Sequence, residues 1–461
     1  MRTVLIIGAG FSGAACAVHL LHARVRGGLR LIMVNRSGAM ARGLAYGTQS
    51  RDHLLNVPAG NMSAMADDPG HFLRYCQRRD AGVSEGSFVS RRLYGDYLEW
   101  MLREAERSAS AGTRLTRVVG EVCHLTPETA TGRVQVRLAD GQQFSVDRVV
   151  LGFGNLAPRT PTPALTVADG PHYVRDPWAA GALDALDAAQ PLILLGTGLT
   201  AVDVAARLLY QHPGRRLYTV SRRGLLPQAH RERRGGAQPG AITAPSLSEL
   251  GMTVRSQMRT LRRRIAEAEA RGQDWRDVIG ALRPITAQWW QGLPSSERGR
   301  FLRHLQPYWD THRHRMAPQA ADAFAGAVRR GVVLPIAARL ESVIAGTHGL
   351  EVAVRPRGQS TVLRLAVGAV INCTGPDSDL RRAGDVLVRQ LLDDGLIAVD
   401  HLGLGLEVTA AGAVLDAQGQ TDGRLFYVGP LLKARDWEAT AVPELRRHAQ
   451  TVAQTIAASF D

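Results

Sequence analysis

"LILLGTGLTAVDVAARLL", residues 192–209, is four apolar residues, a glycine-studded turn and an amphipathic run. That order is the signature of a strand, a tight loop and the start of a helix. The chain opens on the same plan, with "VLIIGAGFSGAACAVHLL" at 4–21. At such a loop the helix N-terminus carries unpaired N–H groups and a partial positive charge, a cradle for a pyrophosphate. A further strand follows each loop, in "LRLIMVNRSG" at 29–38 and "RRLYTVSRRG" at 215–224. Both units therefore have β-α-β length.

The repetition goes further. "RLTRVVGEVCHL", "RVQVRLADG" and "QQFSVDRVVLGFGN" read as strands joined by tight turns, with Asp140-Gly141 as a hairpin signal. "GVVLPIAARLESVI", "GLEVAVRPRG" and "VLRLAVGAVINCTGP" repeat that passage, so "RVVLGFGN" and "GAVINCTGP" are equivalent endings. A proline-rich linker, "APRTPTPALTVADGP", separates the copies. The chain from about Pro69 and "SRRLYGDYLEWMLREAERSA" read as helices, as does the stretch 245–331. There Ser246 and Glu249 have capping-box spacing, Pro318 suits a first turn and Gly331 a helix end. The expected class is α/β, two Rossmann-like dinucleotide-binding domains with a helical insertion. The expected boundaries are 1–160 and 377–461 for the first dinucleotide-binding domain, 165–244 and 332–376 for the second, and 245–331 for the insertion.

Composition supports this class. The chain has 461 residues, 45% apolar, with 48 glycines, which suits two or three α/β domains. Its four cysteines, Cys16, Cys76, Cys123 and Cys373, form no CxxC pair, so a zinc site and a dithiol redox motif are not expected. No apolar run reaches the ~18 residues of a membrane span, and a strand beginning by Val4 leaves no room for a signal peptide. The expectation is a cytoplasmic protein without membrane or metal. The net charge of +14 comes almost wholly from arginine, since Lys433 is the only lysine. Acidic residues mix with the basic ones in "RTLRRRIAEAEARG", so no nucleic-acid partner is expected.

The two loops differ downstream. Gly8, Gly10 and Gly13 have the full spacing for a dinucleotide, but Asn35-Arg36 stands where a ribose-binding carboxylate is usual. Asn35 either bonds a ribose hydroxyl or caps the turn. In the second copy Gly196 and Gly198 are followed by Leu199-Thr200, with Ala201 or Val202 replacing the third glycine. Its second strand runs into Arg222-Arg223, whose planar guanidinium groups suit a 2′-phosphate. NADPH is expected there over NADH, with exposed arginines of no role as the alternative.

"GAGFSG", "GLAYGT", "HLLNVPAGNMSAMADDPGHFLRYC", "LLGTGLTAVD", "SRRGLLPQAHR" and "LFYVGPLLKARDWEATAVPELRRHA" together resemble the bacterial FAD/NAD(P)-binding family of FAD-dependent oxidoreductases. These are glutathione-reductase-like two-dinucleotide-binding flavoproteins. More distantly the chain is similar to N-hydroxylating and other class B flavin monooxygenases. The class B linker fingerprint is not intact, since "PHYVRDPW" offers only His172.

The resemblance implies FAD on Gly8, Gly10, Phe11, Ser12 and Gly13, with Asn35, Arg36, Tyr46 and Gly154 nearby and Val122 at the adenine. It implies Asn56, Val57, Asn61, Met62 and Ser63 along the flavin ring. Gly429 and Pro430 would close over it, with Thr440, Ala441 and Val442 starting a helix near its pyrimidine end. Gly375 is the second copy's counterpart on the NAD(P)H side. Asn61, Met62, His230, Trp437 and Glu438 are the candidates nearest the reacting rings, with a packed loop histidine the alternative for His230 and packing and capping the alternative for the last two. Arg231, His312, Arg313 and Arg315 are candidates for orienting an acidic substrate. His304, Asp310, His312 and His314 are close in sequence, but a structural role is favoured over metal ligation.

The implied activity is that of a monooxygenase. NADPH reduces FAD, and a C4a-(hydro)peroxyflavin formed with O2 passes one oxygen to a small acidic or amine substrate. An NAD(P)H-dependent FAD reductase or dehydrogenase serving another acceptor, and a flavin-binding sensor without turnover, stay open.

Overall fold

The computed structural model describes every residue except 49, 51–52, 162–164, 166, 232–241, 347–348 and 461, so part of the proline-rich linker lies outside the described residues. Two parallel sheets hold the two glycine loops. The first has the spatial order Leu425–Tyr427, Arg148–Leu151, Arg2–Ile7, Leu29–Asn35 and Arg114–Val119, with every pairing parallel. The second repeats it with Tyr173–Val174, Ala369–Asn372, Leu192–Leu195, Leu217–Ser221 and the first half of Val333–Gly346. The near-continuous apolar runs "VLII" and "LILL" are buried on both faces, as parallel strands require.

Each parallel sheet carries an antiparallel annex. In the second copy one long strand does both jobs. Leu217–Ser221 pairs with Val333–Ala337 in parallel, and from Ala338 onward the same strand pairs antiparallel with Gly349–Pro356. In the first copy this work is divided. "RLTRVVGEVCHL", read as one strand, breaks at Gly120 into Arg114–Val119 in the parallel sheet and Val122–Glu128 in a separate three-stranded sheet. A Cβ at Gly120 would come within 2.7 Å of Leu138 Cδ2, the tip of a side chain that can shift, and no backbone atom crowds it. "QQFSVDRVVLGFGN" likewise divides at Asp147 between the two sheets.

Helix Phe11–His22 is buried almost all round because Arg91–Arg107 and Val442–Ala458 share its core, through Tyr94, Leu98, Ala449 and Val452. Ser90 caps Arg91–Arg107 by accepting from Leu93 N at 3.2 Å. In the second copy Pro318–Arg329 takes the corresponding place, packing Ala321, Phe324 and Ala327 into one core with Val204 and Leu208 of helix Leu199–Gln211. Pro318 begins that helix and Gly331, at φ +69°, ends it. Upstream, helices run from Leu247–Leu250 to Gln306–Arg313. Ser246 caps the first, accepting from Glu249 N, but the reciprocal box forms at Thr253 and Ser256. A half-buried ion pair crosses between the two halves, from Arg91 to Asp203 at 2.7 Å, and desolvation raises the Asp203 pKa. No helix among the described residues is long and apolar enough to cross a membrane.

Both loops have nearly the same backbone. Gly8 has φ +94° and a Cβ there would lie 2.6 Å from Gly152 O; Gly196 has φ +106° and its Cβ would lie 2.5 Å from Cys373 O. Gly10 and Gly198 cap their helices at φ −76°, ψ −167° and φ −78°, ψ −171°. A Cβ at Gly13 would sit 2.0 Å from Gly8 O, whereas Ala201 fills the equivalent place in the second copy. Gly13→Ala should therefore cost roughly 3 kcal/mol of stability by forced backbone displacement. Ala201→Gly should cost only the ~1 kcal/mol of a helical glycine. Denaturant titration of both variants checks this.

Candidate functional site

The first loop opens on a cavity of about 730 Å³. Gly10 brings no side chain to cap its helix, so the first-turn N–H groups remain free to meet an anion. Of the residues expected at FAD, the cavity wall includes Gly8, Gly10, Phe11, Ser12, Asn35, Arg36, Tyr46, Val122, Gly154, Pro430 and Thr440. Gly13 lies beneath the loop, against Gly8 O. Gly429, at φ +149°, has no room for a side chain because Tyr427 Oη would lie 2.5 Å from it. Thr440 and Ala441 lead into the C-terminal helix, whose first residue Val442 is buried. The bare glycines, the open helix end and the size of the cavity fit a dinucleotide.

Asn35 resolves in favour of the turn. Its Oδ1 accepts from Ala9 N at 3.2 Å, and its Nδ2 donates to Ser37 O, Ser37 Oγ and Ala39 O at 2.9–3.3 Å. The second copy uses Ser221 in the same place, where Oγ accepts from Thr197 Oγ1 at 2.9 Å and from Gly224 N at 3.0 Å. Beyond it, Arg222 is exposed, while Arg223 donates to Arg303 O at 3.1 Å and faces the Tyr308 ring. Among the described residues, only Arg223 of the two has a partner. Leu199 and Thr200 start their helix, and Gly375 follows its strand at φ +88°.

The residues expected along the flavin ring separate into two kinds. Met62 and Ser63 are buried: Met62 belongs to the core around helix Phe11–His22, and Ser63 Oγ donates to Asp68 O at 2.6 Å. Asn61 is exposed, and Asn56 and Val57 are half-buried. His230 packs on Phe88 and its Nε2 donates to Asn56 O at 2.9 Å. Burial pushes its pKa down to about 4, with Arg315, Arg313 and Arg276 adding to the effect, so it is a neutral donor near pH 7.

The substrate candidates in the insertion are tied to partners far away in sequence. Arg313 places Nε and Nη2 at 2.9 and 2.6 Å from Glu438 Oε2, while Glu438 Oε1 has no partner among the described residues. Arg231 pairs with Asp277. Arg315 is 9% exposed and donates to His312 O and Arg276 O; burial, Arg313 and Arg276 bring its pKa down to about 10. His312 bonds Tyr308 O and packs on Trp275. Trp437 is a core residue, 4.6 Å from Trp290 and under the Lys433 ammonium. Only Asp310 and His314 of the clustered histidines and acids approach, at 3.6 Å, and among the described residues no three such side chains could hold a metal.

Several site residues carried no sequence signal. Arg36 pairs with Glu121 at 3.0 Å and with Asp385, which lies 349 residues away. Arg42, on the cavity wall, pairs with Asp96 and Glu99 of helix Arg91–Arg107. Such contacts are made by the tertiary fold, and local spacing does not announce them.

The model of a family described as FAD-NAD(P)-binding matches residues 5–156. The chain is 27% identical over 300 residues to the L-aspartate N-monooxygenase (nitrosuccinate-forming) of Streptomyces davaonensis, covering 51% of this chain and 45% of that one. It is 29% identical over 180 residues to the nitrosuccinic acid synthase of Aspergillus oryzae, covering 34% and 28%. The chain thus spans less than half the length of either curated relative. Its fold is similar to that of an ornithine hydroxylase from Pseudomonas aeruginosa, with a TM-score of 0.65, 17% identity and full coverage of both chains. For L-lysine 6-monooxygenase from Pseudomonas syringae the values are 0.63 and 17%, covering 100% of this chain and 99% of that one.

His230 also makes a prediction. Because its folded pKa is below the ~6.5 of a free histidine, its unprotonated state stabilises the fold above that pH, and the stability is lost as pH falls from about 6.5 towards 4. His230→Gln keeps a donor for Asn56 O but does not titrate. The difference in Tm between wild type and variant should be constant above pH 7 and shift towards the variant below pH 6. With an FAD-NAD(P)-binding domain over residues 5–156 and a second glycine loop of the same geometry, the chain is an α/β protein with the fold of the two-dinucleotide-binding flavoproteins.

Proposed function

We propose that this chain is an FAD-dependent, NADPH-using monooxygenase that places one oxygen atom of O2 on the nitrogen of a small acidic amine. The observation that carries the reading is the pair of glycine loops with matching dihedrals, which calls for two dinucleotides and hence electron transfer between them. The names of the curated relatives, an aspartate N-monooxygenase and a nitrosuccinic acid synthase, support the amine nitrogen as acceptor and an acidic amino acid as the class of substrate.

A bound flavin supplies the redox chemistry, accepting hydride from NADPH and activating O2. The residues supply placement and charge. The free N–H groups at Gly10–Gly13 hold the pyrophosphate. The N-terminus of helix Val442–Ala458, led in by Thr440 on the cavity wall, favours negative charge beside it. His230, as a neutral donor to Asn56 O, fixes the loop expected along the flavin ring. The exposed Arg222 favours a 2′-phosphate at the second loop. Cys16, Cys76 and Cys373 are disfavoured as nucleophiles, because burial raises the thiol pKa of Cys16 to about 12 and of Cys76 to about 11, and of Cys373 further still.

The test is anaerobic reduction with NADPH, then reaction with O2 and a panel of amino acids, with mass spectrometry of the products. An N-oxygenated product carrying 18O from 18O2 is expected, with the acidic amino acids turned over fastest. Reduction of an added acceptor under argon with no oxygen incorporation would make the chain a reductase. No flavin reduction by NADPH would make it a sensor.

The second loop gives a separate prediction. Arg222→Ala should raise KM for NADPH on the order of tenfold, the ~1.4 kcal/mol of one charged contact, and leave KM for NADH unchanged. Arg223→Ala should do less, since Arg223 already serves Arg303 O. Equal effects on both cofactors would remove the 2′-phosphate from Arg222.

A further inference from the structure

We infer that Glu121 supplies the ribose-binding carboxylate missing at position 35, and that Arg36 holds it in place. The inference rests on the first loop taking FAD. It begins from why position 35 cannot serve. Asn35 Nδ2 donates into the turn that follows, to two carbonyl oxygens and a hydroxyl, and its Oδ1 receives Ala9 N. A carboxylate has no donor and would face those carbonyls with like charge. The residue that shapes the glycine loop is therefore uncharged, and the ribose needs another partner.

Three carboxylates line the cavity. Asp377 is engaged twice by Arg382, at 2.9 and 2.8 Å, and receives Asp379 N. Asp385 gives Oδ1 to Val388 N, capping helix Val386–Asp393, and Oδ2 to Arg36. Glu121 gives Oε1 to Arg36 at 3.0 Å, and Oε2 has no partner among the described residues. Its side chain is 42% accessible and lines the cavity.

Glu121 is also in the right place. Asn35 pairs with Val119 across the sheet, and Asn35 O accepts from Gly120 N at 2.9 Å. The next residue is Glu121, followed by Val122, itself on the cavity wall. Arg36, one residue beyond Asn35, ties Glu121 to Asp385 from the C-terminal half of the chain. Exposed pairs of this kind add little stability, so the work of Arg36 is to aim Glu121.

The ligand class follows from local charge. Glu121 and Asp385 outnumber Arg36 in this cluster, although Arg42, Arg159, Arg175 and Arg382 also line the cavity, so the cluster itself favours the hydroxyl donors of an unmodified ribose over a 2′-phosphate. The position equivalent to Arg36 in the second copy is Arg222, which is exposed and has no carboxylate partner among the described residues. The two loops share one backbone and sort their dinucleotides by opposite charge at the adenosine ribose.

Flavin-fluorescence titration of the full-length apoprotein tests this, with FAD and FMN as ligands and ADP and 2′-phospho-ADP as competitors. Glu121→Ala should weaken FAD roughly tenfold or more while FMN, which lacks the adenosine, is unchanged. Glu121→Gln should fall between, and Arg36→Ala should lose about half that effect on a logarithmic scale. Wild type should prefer ADP over 2′-phospho-ADP, and Glu121→Ala should lose the preference. Thermal melts of the apoproteins check that the variants are folded. Unchanged FAD affinity in Glu121→Ala, or equal losses for FAD and FMN, overturns the inference and leaves FAD at the first loop intact. Failure of wild type to bind FAD overturns the assignment of that loop itself.

Discussion

The structure depends on three backbone segments crossing without side chains beneath a helix end. At the first loop the strand, the turn and the helix come so close that Gly8 O would touch a Cβ at Gly13, and Gly152 O a Cβ at Gly8. That closeness leaves the helix N–H groups facing outward over the C-terminal edge of a parallel sheet, where their partial charges act on a ligand in a sheltered cleft. The same crossing recurs at Gly196 against Cys373 O. Matching hydrogen bonds accompany it: Gly8 N to Val34 O and Gly196 N to Val220 O, both at 2.8 Å. Sheet order, helix placement and the antiparallel annexes follow this duplicated crossing.

Loop shaping and ligand recognition belong to different residues here. Asn35 and Ser221 occupy the position where a ribose-binding acid is usual, yet both tie the glycine loop to the turn after the second strand. An uncharged group that can donate and accept suits that task, and a carboxylate does not. Recognition then passes to the next residue and to whatever the tertiary fold brings against it. For Arg36 that is Glu121 and Asp385.

The helical insertion is fastened to the C-terminal segment by ion pairs and aromatic packing. Arg313 holds Glu438, and Arg283 holds Glu444 with Nε and Nη2 at 2.8 and 2.6 Å from its two oxygens. Trp290 donates to Ala434 O at 2.9 Å and stacks near Trp437. These partners lie 125 to 161 residues apart in sequence. Partly buried pairs of this geometry fix orientation more than they add stability. They place the insertion beside the start of helix Val442–Ala458, next to Thr440 on the cavity wall.

The sequence by itself determined the repeated plan, because apolar runs, glycine spacing and helix periodicity are local and each follows from the backbone of a few residues. It located both loops, the two strand endings in "RVVLGFGN" and "GAVINCTGP", the helix start at Pro318, and eleven of the residues on the cavity wall around the first loop. It did not reveal the break at Gly120, since a strand that changes sheets keeps its alternation, and only the pairing of Val119 with Asn35 and of Val122 with Leu138 distinguishes the bend. It offered Arg313 and Glu438 as separate candidates; folding made them a pair. It left Asn35 open between ribose and turn, which only the positions of Ser37 and Ala39 decided. Glu121 and Asp385 had no motif around them. Their meeting at Arg36 depends on a chain that leaves the first sheet after Leu151 and returns to it at Leu425, a closure over distances that no local pattern encodes.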